Sequence, residues 1–256
     1  MALLHCELKA ESIRMITSVH LILPQDIHRI GSPPVKTLYL LHGRSHNYSA
    51  WSRYTGLERY AQNYNVAIVM PEANRSFYSN MEYGADYQTY IAEELPGLCE
   101  SMFQISRSAR DRYIAGMSMG GYGALKTALS YPGRYAGCGA ISAVTELPRH
   151  IAETPDHTPK KQEFYGIFGE DLKLAPGDDI FTLAVRAADA KPLLLPRIYL
   201  ACGTEDHLYP ESLRLYRHLQ TLPYSLSFEQ WSGIHDWEFW DRAGKRVLEY
   251  FFAENS

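Results

Sequence analysis

A single serine is surrounded by glycines in the stretch AGMSMGGYGA, residues 115–124. Gly116 and Gly120 flank Ser118 in the pattern G-x-S-x-G, an apolar run (RYIA) precedes them, and residues with helical periodicity follow as far as Pro132. In a sharp strand-to-helix turn, side chains two positions before and after the serine would clash with the backbone, so both positions need glycine. The pattern predicts an exposed, nucleophilic serine hydroxyl, and a serine that caps the next helix is the alternative.

A serine hydroxyl is a poor nucleophile unless a base takes its proton as it attacks. That base is usually a histidine, which a carboxylate holds in the correct tautomer. Asp206 in CGTEDHLYP and His235 in WSGIHDWEFW follow Ser118 in the chain order Ser, Asp, His, and each comes directly after a predicted strand. The sequence therefore predicts a catalytic triad of Ser118, Asp206 and His235.

The carboxylate has several competitors within the sequence. We prefer Asp206 because its loop has room to turn toward the histidine before Pro210 begins a helix. The alternatives are the adjacent Glu205 and the upstream Asp171, Asp178 and Asp179.

His42 is the main alternative for the base. It lies at the end of a predicted strand, directly before Gly43, and its expected role is to brace the loop that follows. The spacing of His42 and His46 would suit a metal pair on a helix, but Gly43 disfavours that helix and no acidic third ligand is near. No metal site is predicted.

Strands and helices alternate along the chain. This pattern predicts an α/β fold with a mostly parallel sheet and helices on both faces, whose carboxyl edge carries the active site. A Gly- and Pro-rich turn (GSPPVK) precedes the third strand. The predicted strands cover residues 4–10, 15–23, 37–41, 66–70, 112–115, 136–143, 198–201 and 225–230, and the predicted helices cover 52–64, 86–103 with a bend at Pro96, 122–132, 210–222 and 237–252.

Residues 145–191 interrupt this alternation. They carry proline, glycine and charge with few strand-like runs, so we expect a small insert over the strand ends that shapes the substrate pocket. The aromatic residues that could line the pocket are Tyr78, Tyr83, Phe164, Tyr165 and Trp237, and only Trp237 is predicted to bind substrate, because it lies two residues after His235.

Length and composition exclude several classes of protein. A chain of 256 residues with 46% hydrophobic content suits one large core, so residues 1–256 are expected to form a single domain. The net charge of −4 and the lack of a basic run argue against nucleic-acid binding. The start of the chain lacks the apolar core of a signal peptide, and no apolar run suits a membrane span. The four scattered cysteines are typical of reduced thiols, so a cytoplasmic location is expected.

Several blocks of the sequence together resemble the putative esterase family. They are AGMSMGGYGA, the His-Gly pair after a strand, EYGADYQTYIAEELP and GIHDWEFW, and the resemblance extends over nearly the whole chain. The family includes esterase D (S-formylglutathione hydrolase), tributyrin, feruloyl and acetyl-xylan esterases, and mycolyltransferases. This chain is most similar to the cytoplasmic tributyrin esterases.

The resemblance implies an α/β-hydrolase fold with Ser118, Asp206 and His235 as the triad. It also implies an oxyanion hole formed by the backbone N–H groups of Met119 and Arg44. Relatives often carry an apolar residue at the position of Arg44. Its N–H would serve regardless of the side chain, which could either place positive charge near the mouth of the site or simply face solvent.

The expected activity is that of a serine carboxylesterase that hydrolyses short-chain acyl or acetyl esters through an acyl-enzyme, without a cofactor. The alternatives are an S-formylglutathione hydrolase, an acyltransferase or deacetylase of the same family, and a non-catalytic ligand-binding receptor on a hydrolase fold. The expected partner is a small-molecule ester rather than a nucleic acid or a membrane, and a homo-oligomer is left open.

Overall fold

A single twisted sheet of eight strands organises the protein in the computed structural model, which describes residues 1–25 and 34–253. The strand order is β1-β2-β4-β3-β5-β6-β7-β8. β1 pairs antiparallel with β2 and β2 antiparallel with β4, whereas the pairs from β4 through β8 are parallel. The predicted mostly parallel sheet is confirmed. The strands are β1 (Ala2–Ala10), β2 (Met15–Leu23), β3 (Lys36–Leu41), β4 (Val66–Pro71), β5 (Arg112–Met117), β6 (Gly137–Ile141), β7 (Arg197–Gly203) and β8 (Leu226–Trp231).

Helices cover both faces of the sheet, because the central strands are apolar on both sides. In β3, Tyr39 and Leu41 enter one core and Leu38 and Leu40 enter the other. Helices α4, α5, α8 and α9 pack into the first core, and α1, α2 and α10 into the second. The helices are α1 (Ala50–Tyr54), α2 (Leu57–Ala61), α3 (Tyr87–Thr89), α4 (Leu95–Met102), α5 (Met119–Ser130), α6 (Leu147–Glu153), α7 (Pro159–Phe168), α8 (Ile180–Ala190), α9 (Tyr209–Leu219) and α10 (Trp237–Phe252).

The prediction of one continuous helix over residues 52–64 is wrong. The chain forms α1 and α2 instead, with Thr55 extended between them. Gly56 N–H, which a continuous helix would satisfy internally, donates to Asp241 of α10 at 2.8 Å. A contact with a residue far away in sequence therefore decides this break. Part of the predicted GSPPVK turn lies outside the described residues.

The helix predicted over residues 86–103 is irregular before Pro96 rather than at it. A π-helical turn, Tyr90–Glu94, joins α3 to α4. Proline cannot donate to the carbonyl four residues earlier, and its ring crowds that carbonyl. That group, the Ala92 carbonyl, instead accepts a hydrogen bond of 3.0 Å from the Arg134 side chain. The wider turn and the arginine together accommodate the proline.

The segment 145–191 contains α6, α7 and α8. α7 lies over the loops that follow β3 and β4, since Glu163 on α7 contacts Arg44 and Arg75 in those loops. α8 instead packs beside α5 on a face of the sheet. Of the helices in this segment, α7 lies over the strand ends as expected, whereas α8 belongs to the layer of helices on one face of the sheet. Within the described residues, no helix combines the length and the apolar character needed to span a membrane.

Candidate active site

Ser118 occupies the sharp turn between β5 and α5. Its backbone has a φ of 55° and a ψ of −119°, a strained conformation for a residue other than glycine. A Cβ on Gly116 would lie 2.4 Å from the Gly120 backbone, and one on Gly120 would lie 2.5 Å from the Leu41 carbonyl oxygen. The two glycines are therefore required by the tightness of this turn and by its contact with the end of β3.

Ser118, His235 and Asp206 form a continuous chain of hydrogen bonds. The Ser118 hydroxyl lies 3.1 Å from His235 Nε2, and His235 Nδ1 lies 2.9 Å from Asp206 Oδ2. If the Nδ1 proton is donated to the carboxylate, Nε2 is free to accept from the serine. The structure thus brings together three residues that come from the ends of β5, β7 and β8, in a geometry that suits nucleophilic catalysis.

The Asp206 side chain is fully buried and remains ionised. Burial by itself would raise the pKa of Asp206, but hydrogen bonds from His235 and from the Leu208 N–H, the latter at 2.9 Å, outweigh it and hold the pKa below its usual value. A carboxylate at this position orients the imidazole and can stabilise it when it is protonated.

The other candidate carboxylates have contacts elsewhere. Glu205 is exposed and accepts from the Gly233 N–H in the loop that carries His235. Asp178 pairs with the buried Lys126 ammonium at 2.6 Å. The remaining two accept backbone N–H groups near their own positions, Asp171 from Lys173 and Asp179 from Phe181 at the start of α8.

The backbone N–H groups of Met119 and Arg44 face no acceptor among the described residues. Met119 begins α5, so its N–H adds to the positive end of the helix dipole. The Gly43 carbonyl accepts from His42 Nδ1 at 2.8 Å and from the His46 N–H at 3.0 Å. Because the peptide bond is trans, these contacts turn the Arg44 N–H to the opposite side. Both groups can donate to an oxyanion.

His42 supports the loop after β3. It is almost completely buried, its Nδ1 donates to the Gly43 carbonyl, and its Nε2 accepts from the Ala73 N–H at 3.0 Å. The hydroxyl of the buried Tyr78 donates to the His42 carbonyl at 2.8 Å. With both ring nitrogens engaged, His42 has no free atom for a base or a metal ligand. This contact places the buried Tyr78 beneath the loop, so Tyr78 supports the loop rather than lining a substrate pocket.

Tryptophans pack around the histidines of the site. The Trp237 indole N–H donates to His46 Nε2 at 3.1 Å, and its ring stacks on Tyr54. Burial lowers the pKa of His46, which therefore stays neutral and able to accept. The tryptophan that meets the His235 ring edge to face is Trp240, with 4.9 Å between centroids. Sequence analysis missed Trp240, whose helical spacing marks it only as a core residue.

His207 is a second residue that sequence analysis missed. Its ring lies 4.7 Å from that of His235, and its Nδ1 lies 3.4 Å from Asp206 Oδ1. Asp206, His207 and His235 together offer ligand atoms within 4.8 Å of one another, a spacing that could hold a metal ion. However, the Asp206 and His235 atoms already hydrogen-bond each other in the chain that leads to Ser118.

Comparisons with known proteins show what the chain as a whole is similar to. The model of the family described as "Putative esterase" matches residues 11–243. The chain is 31% identical, over 98% of both sequences, to an acetyl esterase of Caldicellulosiruptor saccharolyticus. It superposes with a TM-score of 0.88 and 31% identity on FphF, a fluorophosphonate-binding serine hydrolase of Staphylococcus aureus, over 99% of both chains.

The chain belongs to the putative esterase family. It has the α/β-hydrolase fold and is a carboxylic-ester hydrolase. A further structure similar to this esterase is the S-formylglutathione hydrolase FrmB of Staphylococcus aureus, with a TM-score of 0.86 and 31% identity over 98% of both chains.

Proposed function

We propose that this esterase is a serine carboxylesterase that hydrolyses short-chain acyl or acetyl esters through an acyl-enzyme. The observation that carries the proposal is the hydrogen-bonded chain from Ser118 through His235 to Asp206, at 3.1 and 2.9 Å. A nucleophile, a base and an orienting carboxylate in sequence are what acyl transfer to serine requires.

In the proposed reaction, the Ser118 oxygen attacks the ester carbonyl while His235 Nε2 takes its proton. The Met119 and Arg44 N–H groups donate to the oxyanion that forms, and the dipole of α5 adds to this stabilisation. The tetrahedral intermediate expels the alcohol, which receives the proton from His235. Water, deprotonated by the same imidazole, then attacks the acyl-enzyme and releases the acid and free Ser118.

Three observations support a preference for short acyl chains. The similar protein from Caldicellulosiruptor saccharolyticus is an acetyl esterase. Phe164 of α7 is buried against Phe77, so its ring fills space beneath the cover. The side of α7 that meets the loops carries charge at Glu163, unlike the apolar lids of enzymes that act on long chains. We propose that Trp237, beside His46, borders the pocket.

S-formylglutathione hydrolysis is a second candidate function, favoured by the similarity to FrmB. The same nucleophile and oxyanion donors would act on a thioester. The two activities are distinguished by comparing kcat/KM for S-formylglutathione and for p-nitrophenyl acetate on one preparation. A thioester value higher by a factor of about 100 or more would favour the second function.

Substitution and labelling of Ser118 test the proposed function. Ser118→Ala should lower kcat by several orders of magnitude while the thermal unfolding midpoint changes little. Mass spectrometry after fluorophosphonate treatment should find one adduct, on the peptide that contains Ser118. Ser101→Ala, at an exposed position on α4, serves as the matched control and should retain activity and labelling. An adduct on another residue would overturn the assignment.

We further propose that the enzyme is a single domain that works in the cytoplasm. One continuous sheet unites the described residues, which supports a single domain. All four cysteines are free thiols and three of them are buried, as is usual in a reducing compartment.

A further inference from the structure

A group of cationic side chains surrounds one carboxylate beside the proposed oxyanion hole. Arg44 Nε and Nη2 donate to Glu163 Oε2 at 2.9 and 2.6 Å, and Arg75 Nη1 donates to Glu163 Oε1 at 2.7 Å. Lys160 lies one helical turn before Glu163 on α7. We call Arg44, Arg75, Lys160 and Glu163 the cationic cluster.

Positive charge exceeds negative charge in this cluster. Arg44 and Arg75 both pair with the single carboxylate of Glu163, and the ammonium of Lys160 lies over the Phe164 ring, 5.8 Å from its centroid. The described residues place no other acid within ion-pair distance of these three cations. Partial burial and the nearby charge of Arg44 lower the pKa of Lys160. The cluster is therefore short of counter-charge.

The cluster also retains hydrogen-bond donors with no partner. Arg44 Nη1, Arg75 Nε and Nη2, and Lys160 Nζ donate to no acceptor in the part of the chain that the structure describes. The Arg75 side chain is 57% exposed and that of Arg44 is 30% exposed, so both can reach a bound molecule. A guanidinium presents a planar set of donors that fits the oxygens of a carboxylate, sulfonate or phosphate.

The position of the cluster connects it to the reaction. Arg44 supplies the N–H proposed for the oxyanion hole, so its side chain starts from the residue that would contact the substrate carbonyl. The preceding residue, Gly43, packs closely against Met117, since a Cβ on Gly43 would lie 2.7 Å from Met117 Sδ. Met117 directly precedes Ser118 in the chain. Glu163 draws the Arg44 guanidinium toward α7, over the loops that follow β3 and β4.

We propose that the cationic cluster binds an anionic group on the ester, so that the enzyme prefers substrates with a carboxylate or similar oxyanion near the scissile bond. The inference rests on the proposed function and adds the chemical class of the substrate. The alternative is that the cationic cluster only holds α7 against the loop of Arg44, and that none of its side chains contacts the substrate.

Matched pairs of esters test the proposal and show which side of the ester carries the charge. For the alcohol side, the pair is 4-acetoxybenzoate and its neutral methyl ester, each rate being divided by that of hydroxide-catalysed hydrolysis. For the acyl side, the pair is 4-nitrophenyl 4-sulfobutanoate and 4-nitrophenyl pentanoate. In at least one pair, kcat/KM should be higher for the anionic ester by about fivefold or more, and the preference should weaken between 20 and 500 mM KCl.

Variants separate local charge from overall charge. Arg75→Gln should lower the anionic-to-neutral ratio of kcat/KM by about fivefold to tenfold, mainly through KM, since one partly exposed charge-assisted contact is lost. Glu163→Gln should raise the ratio because it removes the counter-charge. Arg186→Gln, at an exposed position on α8, changes the net charge of the protein equally and should leave the ratio unchanged.

Hydrolysis of the neutral esters without any preference in either pair would overturn the cationic cluster as a substrate site and leave the proposed function intact. Equal losses on both members of a pair in Arg75→Gln would identify the fastening role instead. Absence of hydrolysis for all four esters, with no fluorophosphonate adduct on Ser118, would overturn the proposed function itself.

Discussion

Replacing Asp206 by asparagine tests the tautomer on which the proposed mechanism depends. Asp206 accepts from the Leu208 N–H and from His235 Nδ1, each at 2.9 Å. An asparagine at position 206 has one acceptor oxygen for these two donors. If its oxygen keeps the Leu208 contact, its NH2 group faces His235 Nδ1, and the imidazole must carry its proton on Nε2, where it points at the Ser118 hydroxyl.

The loss of rate follows from two contributions. In the opposite orientation the amide oxygen accepts from His235 Nδ1, which restores the productive tautomer. The amide NH2 group then faces the Leu208 N–H, and two buried donors opposite each other cost about 1–3 kcal/mol, or about 5- to 150-fold in population. The protonated imidazole also loses a charge-assisted hydrogen bond of about 1.5–3 kcal/mol, or about 10- to 150-fold. We therefore expect kcat on p-nitrophenyl acetate to fall about 10³-fold in Asp206→Asn, within a range of about 10²–10⁴.

Glu205→Gln is the matched control one residue away. Its amide oxygen can still accept from the Gly233 N–H, so kcat should change by no more than about twofold. Both variants should show the near-ultraviolet circular dichroism of the native protein. Small and equal losses would refute the reasoning and indicate that another carboxylate orients His235.

Three further predictions concern the loop, the fold and the pocket. Gly120→Ala should reduce kcat/KM about 100-fold or more, because the new Cβ would lie 2.5 Å from the Leu41 carbonyl oxygen and displace the loop that carries the Arg44 N–H. Gly97→Ala is the control: the space around Gly97 is open, so this variant should keep its activity and show an equal or slightly higher stability in urea denaturation. Glu211→Gln should destabilise the protein by about 1–3 kcal/mol at pH 7, because Glu211 accepts from the Thr145 N–H, the Glu146 N–H and His150. Burial raises the pKa of Glu211, but those hydrogen bonds outweigh it and bring the pKa below the ordinary value of 4.5. The carboxylate therefore stabilises the fold fully above pH 4.5, and the difference in unfolding free energy between wild type and variant should narrow as the pH falls below that value. A difference that stays constant with pH in urea titrations would contradict this. On p-nitrophenyl esters, kcat/KM should peak between acetate and butyrate and fall at least tenfold by octanoate, and an optimum at octanoate would identify α7 as a lipase-type lid.

Local sequence patterns were sufficient for the sheet and for the residues that converge on its edge. Apolar runs predicted the eight strands close to their observed bounds, and helical periodicity did the same for α5, α9 and α10. The glycines around Ser118 predicted the turn, because the steric demand of that turn is a property of adjacent residues. The order Ser118, Asp206, His235 predicted the chain of hydrogen bonds, because strand ends in a parallel sheet meet at one edge.

Contacts between distant segments decided the rest. Asp241 ends the helix before Gly56, Arg134 satisfies the carbonyl freed by Pro96, and Glu163 fastens Arg44 to α7. The contact of His207 with His235 and the contacts of Arg44 and Arg75 with Glu163 were likewise beyond prediction, because each pairing joins residues separated by long stretches of chain. Periodicity reports only which face of an element is apolar, whereas the partner that each polar group finds depends on how the finished elements pack together.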